Sequence, residues 1–153
     1  MADHTIKIES GHINLSPVLF RLSACDYLKC YRDFQKPGTF SAVPFFLCCR
    51  AIELALKAKH LEGKSPKEVK QLYSHDLLRS YSDLDANQRT LSGEELTLLE
   101  AANEIYVAKD FEYLNVFDVV SAYKRFPGLD SLGALAEKIT DLTRLANDRG
   151  GQE

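Results

Sequence analysis

The chain has no CxxC pair, no Cys/His cluster at zinc-finger spacing and no glycine-rich phosphate loop, and GxGxxG, GxSxG and HExxH sequences are all missing. No cofactor, metal site or recognisable catalytic set is therefore expected. Its four cysteines are Cys25, Cys30, Cys48 and Cys49. They read as buried, reduced side chains acting as small hydrophobes, which suits a cytoplasmic protein. Charge of one sign is also lacking. The 19 Lys and Arg against 22 Asp and Glu leave a net charge of −3, so no global field draws nucleic acid and a DNA-binding role is not expected. Long hydrophobic runs are absent too. The most apolar stretch, 42–56, is interrupted by Arg50 and Glu53, so no membrane span is expected. The first nine residues are polar, which does not suit a secretory signal.

What is present is helical patterning in one domain-sized chain of 153 residues, 45% hydrophobic and 27% charged. Residues 1–15 carry a short alternation, Ile6-Lys7-Ile8-Glu9, and read as an N-terminal arm or tail. Ser16 and Pro17 open a helix that places Leu19, Leu22, Cys25 or Asp26, and Leu28 inward, and Pro37-Gly38 stops it. A second helix begins near Ser41 and is apolar nearly all round from Phe45 to Leu61, as a covered central helix would be. Ser65-Pro66-Lys67-Glu68 and Ser92-Gly93-Glu94-Glu95 are capping boxes. The first starts a short helix to Tyr73, and Asp76 can cap another running to Leu84. The second starts a helix with Leu96, Leu99, Ala102 and Ile105 or Tyr106 inward, reaching about Tyr113. A last helix, from Asp130 or Ser131 to about Asn147, carries Leu132, Leu135, Ala136, Ile139, Leu142 and Ala146 as one apolar stripe. Four long helices plus short ones predict an all-α, antiparallel up-and-down bundle over residues 16–149.

Three features carry polar chemistry. Phe46, Arg50, Glu53, Lys57 and His60 share a narrow arc of the second helix, with Glu53 and Lys57 in the favoured ion-pair order. Such a stripe either holds an anion beside an acid or is the one solvated face of a core helix. His75-Asp76 sets an imidazole beside a carboxylate; Asp76 reads as a helix cap, and His75 as either a titratable contact or a packed ring. From Tyr106 to Phe126, the aromatics Tyr106, Phe111, Tyr113, Phe117, Tyr123 and Phe126 mix with Lys109, Lys124 and Arg125. These rings are either core or a platform for RNA, with Lys124 and Arg125 as RNA contacts.

The segment from Arg50 to His60, with its Glu53-Leu-Ala-Leu-Lys57 stretch, is followed by Tyr73-Ser-His75-Asp76-Leu77. Together they resemble the HEPN domains, small helical bundles named for nucleotide binding in higher eukaryotes and prokaryotes. Tyr113 and Lys124-Arg125-Phe126-Pro127 look like the Arg-Tyr-Pro-type segment before that family's last helix. The resemblance implies a bundle that is often dimeric, and roles around RNA cleavage, nucleotide binding, toxin–antitoxin pairs or phage defence. The family's ribonucleases carry Arg, four to six residues, then His. No Arg here has a His at that distance; the nearest approach is Lys70 with His75. The expectation is a non-catalytic domain, homodimeric, binding a nucleotide, RNA or a protein partner. Arg50, Glu53, Lys57, His75 and Asp76 form its ligand-binding patch. The alternatives are a metal-independent ribonuclease with a degenerate motif, and a purely structural oligomerisation module.

Overall fold

The computed structural model describes residues 15–109, 111 and 119–143, and all its regular elements among them are helical. In chain order they are α1 (Ser16–Asp33), α2 (Val43–His60), α3 (Pro66–Tyr73), α4 (Leu77–Ser82), α5 (Gly93–Val107) and α6 (Leu129–Leu142). Residues 1–14 of the N-terminal arm, Tyr113, Phe117 and Ala146 lie outside the described residues.

Local chemistry explains most boundaries. Both capping boxes are closed in each direction. Ser65 Oγ accepts from the Glu68 amide while Glu68 accepts from the Ser65 amide, and Ser92 with Glu95 repeats the pattern. Pro44 sits in the first turn of α2, where its missing N–H costs no hydrogen bond. Two expected ends move. Ser16 is the first helical residue rather than the cap, because Leu15 occupies that position. The α5 helix stops at Val107, well before Tyr113, because Lys109 takes a left-handed φ of 58° that no helix can continue.

The central helix is α2, packed against α1, α4, α5 and α6. Every residue from Ala51 to Ala58 is buried, as its all-round apolar sequence demands. Which face of α1 meets it differs from the pattern reading. Leu28 is buried as expected, but Leu19 and Leu22 are 58% and 57% exposed, and Pro17 and Ala24 are buried in their place, with Phe20, Tyr27 and Tyr31 packed beside them. Two overlapping apolar series run along α1. The contact takes the one containing Ala24, whose single methyl lets two backbones approach closely. The cysteines divide the same way: Cys48 and Cys49 are fully buried on α2, but Cys25 and Cys30 are exposed on α1. Burial pushes the Cys48 thiol up to about 12.

Helices α1 and α6 meet tightly where Gly133 faces Tyr31. A methyl group built on Gly133 would lie 2.6 Å from two ring carbons of Tyr31, inside van der Waals contact. Gly133→Ala is therefore expected to lower stability by about 1–3 kcal/mol through overpacking. Urea unfolding checks this, and Tyr31→Leu in the same background should recover part of the loss.

Candidate functional site

The polar stripe of α2 is not a solvated face. Glu53 is 1% exposed and Lys57 8%. The Glu53 carboxylate is surrounded by four donors from three parts of the chain. Lys57 Nζ and His75 Nδ1 approach Oε1, the latter at 3.2 Å. Arg50 donates to Oε2 at 2.9 Å, and the Tyr106 hydroxyl donates to the same oxygen. An ionised carboxylate offers about four lone-pair sites and donates nothing, so this one is saturated. It follows that His75 Nδ1 carries a proton, because the carboxylate has none to give.

The electrostatics agree with that arrangement. Burial alone would raise the Glu53 carboxyl, but the bonds from Lys57 and Tyr106 and the charges of Lys57 and Arg50 outweigh it and hold the group below its ordinary 4.5. Burial, then the Glu53 charge, push the Tyr106 phenol well above its ordinary 10. With all its acceptor sites filled, Glu53 is an organiser of cations rather than a free general base.

His75 reaches the carboxylate because of the turn before it. His60, at the end of α2, uses Nε2–H to donate to the Ser80 carbonyl at 2.8 Å. Its Nδ1 accepts from the Tyr73 hydroxyl at 3.3 Å, and the two rings stack at 4.2 Å. This ties α3 and α4 to α2. Between them, the Asp76 amide donates to the Tyr73 carbonyl at 2.8 Å, closing a four-residue turn. Its first central residue, Ser74, has φ 46° and ψ −112°. That is the type II′ position glycine normally fills. The turn stores backbone strain where it aims His75 at Glu53. Ser74→Gly is expected to raise the urea midpoint, by about 0.5–1 kcal/mol in stability, with the His75 contact kept. An unchanged or lowered midpoint would show that no strain is stored there.

Asp76 does not join the cluster. Its carboxylate accepts from the Arg79 amide at 2.9 Å as the α4 cap and from Asn103 at 3.2 Å. Asn103 also accepts from the Leu77 amide, so one α5 side chain pins the whole start of α4. Tyr106 was legible only as an inward position or one of the aromatic stretch, and Asn103, one turn before it on α5, gave no signal in the sequence. Their hydrogen-bond partners lie 26 or more residues away in sequence.

Two clefts meet at Arg50 and His75. The first, about 360 Å³, lies among α1, α2 and α3 and carries Glu53, Lys57 and Lys70 beside an apolar wall. The second, about 280 Å³, is lined by Tyr27, Phe46, Tyr106 and Phe111 with Arg50, His75 and Lys109, and none of these described lining residues is an acid. Arg50 also lies 5.9 Å from the Tyr27 ring centroid, within cation–π reach. Lys124 and Arg125 line neither cleft. Arg125 approaches Glu104 at 3.9 Å, and the neighbouring Tyr123 stacks on Phe40 with centroids 3.7 Å apart. Ala122 and Tyr123 both have positive φ, which sets that ring on Phe40.

Among the described residues, no group of three His, Cys, Asp or Glu side chains could hold a metal ion, and no helix is long and apolar enough to cross a membrane. Compared with known proteins, the chain matches no family model, no curated protein and no solved structure. The HEPN resemblance therefore rests on its own motif residues.

Proposed function

We propose that this chain is a non-catalytic, HEPN-like ligand-binding domain, an antiparallel helical bundle that takes a nucleotide or the phosphate and base of an RNA. The observation that carries this reading is the saturated Glu53 carboxylate. It holds Arg50 and His75, with Lys57 behind them, at the junction of the two clefts. An arginine so held is prepared to meet phosphate without losing its own order. The four rings of the second cleft suit a stacked base, and Lys109 adds a cation. Asp76 acts by fixing the backbone that carries His75. Lys124 and Arg125, beside the stacked Phe40 and Tyr123, are an outer contact for a longer RNA.

The test is binding of labelled adenosine monophosphate and of short single-stranded RNA. Arg50→Ala should weaken both by about tenfold to a hundredfold, the worth of a charge-assisted hydrogen bond. Affinity unchanged by that substitution together with Lys57→Ala would refute the site.

One contact favours the ribonuclease reading. The bond from Nδ1 to Glu53 orients the His75 ring and leaves Nε2 free for proton transfer. RNA incubated with the protein and with His75→Ala decides it; identical backgrounds end it. The homodimer belongs to the same proposal and would use α1, where Leu15, Val18, Leu19 and Leu22 are all more than 40% exposed. A cytoplasmic setting, in defence or a toxin–antitoxin pair, goes with it; the exposed Cys25 and Cys30 suit a reducing compartment.

A further inference from the structure

The first cleft does not suit a nucleotide base. Its wall is Phe20, Leu54, Leu61, Pro66 and Val69, so that apart from the ion cluster and the rim only Ser74 could meet the edge of a base or a ribose hydroxyl. Its floor carries the buried Lys57 and Glu53 with the half-buried Arg50. Two cations against one anion leave that floor with a net charge of +1. Lys70 and the exposed His75 stand at the rim.

We infer that this cleft is a separate subsite for a small monocarboxylate with a compact apolar body, such as a medium-chain alkanoate. One negative charge neutralises the floor, and the apolar wall beyond it selects an anion that carries an apolar body. The head accepts from Arg50, Lys57 and, at the rim, Lys70, and the body lies along Phe20, Leu54, Leu61 and Val69. The volume of about 360 Å³ falls in the range of small-molecule sites, which pair a mostly apolar lining with a few placed polar groups. The subsite shares Arg50 and His75 with the nucleotide contacts, so the two ligands should compete for the junction. It does not depend on the nucleotide reading.

Calorimetric titration of the full chain with butanoate, hexanoate, octanoate and decanoate tests this. Affinity should rise about fourfold per added methylene until the wall is covered. Octylamine, with the opposite head charge, should bind at least about tenfold more weakly than octanoate. Phe20→Ala shortens the wall without touching the ion cluster and should flatten the chain-length dependence. Adenosine monophosphate binding should not change in that variant, because Phe20 lines only the first cleft. Lys70→Glu at the rim should weaken octanoate binding. Affinity independent of chain length, octylamine binding as well as octanoate, or an unaltered series in Phe20→Ala would each overturn the inference. Nucleotide binding without octanoate binding defeats the subsite alone. Octanoate binding without nucleotide binding defeats the function proposed above and leaves the subsite standing.

Discussion

Glu53→Ala is expected to destabilise the protein by about 3–5 kcal/mol, the cost of leaving a buried charge without its partner. The substitution removes the acceptor shared by Lys57, Arg50, Tyr106 and His75 in one step. Arg50 and His75 can turn to water because their side chains are 30% and 54% exposed, but Lys57 at 11% cannot do so without moving its neighbours. The loss should therefore fall chiefly on Lys57 and Tyr106. Glu53→Leu combined with Lys57→Met is the informative partner experiment. Replacing a buried ion pair by apolar groups of similar size is often neutral, so the double variant should recover the Lys57 share of the loss, and adding Tyr106→Phe should recover most of the rest, while ligand affinity is lost. Urea unfolding reads both. A single-variant cost below about 1 kcal/mol, typical of a surface pair, would mean that the carboxylate does not organise the core.

Folding stability should also depend on pH in a direction set by two buried groups. Burial lowers the His60 pKa from 6.5, against an opposing contribution from the Ser80 carbonyl. The Glu53 carboxyl is held below 4.5 by its donors. In both cases the unfolded chain binds protons that the folded protein does not, so stability rises with pH through each window. The His60 contribution is fully present above 6.5 and fades as pH falls below it. The Glu53 contribution is present above 4.5 and is lost below that value. At the alkaline end the sign reverses. Cys48 rises from 9.0 to about 12, and Cys49 and Tyr106 are also raised by burial, so the unfolded chain loses those protons first and stability declines above 9.0. Urea midpoints measured across pH should show a plateau between 6.5 and 9.0 with losses on either side. A midpoint that stays constant as pH drops from 6.5 through 4.5 would contradict both assignments.

How much of this was legible depended on the distance between interacting groups. The capping boxes at Ser65 and Ser92 and the Asp76 cap involve partners three residues apart, and a short window of sequence contains all the atoms concerned. The polar arc of α2 was legible as an arc, because helical periodicity places positions 50, 53 and 57 on one side. Its burial was not. Whether such an arc faces water or protein depends on α3 and α5 arriving over it, and Tyr106 lies 53 residues from Glu53. The face of α1 was misassigned for a related reason. Its two apolar series score alike in sequence, and only the neighbour's shape distinguishes the methyl of Ala24 from the bulk of Leu19 and Leu22. The early end of α5 turns on a left-handed Lys109, a residue type with no particular preference for that conformation.

Composition and periodicity were enough to settle an all-helical chain, the starts of three helices and the identity of the apolar central helix, because those properties arise from backbone hydrogen bonding and side-chain spacing within a few turns. The tertiary structure alone decided that four donors converge on one carboxylate, that Asn103 joins the Asp76 cap from α5, and that the junction opens into one aromatic and one largely aliphatic cleft. Those outcomes depend on which surfaces pack together, and packing is a many-body fit of shape and charge that no local window of residues encodes.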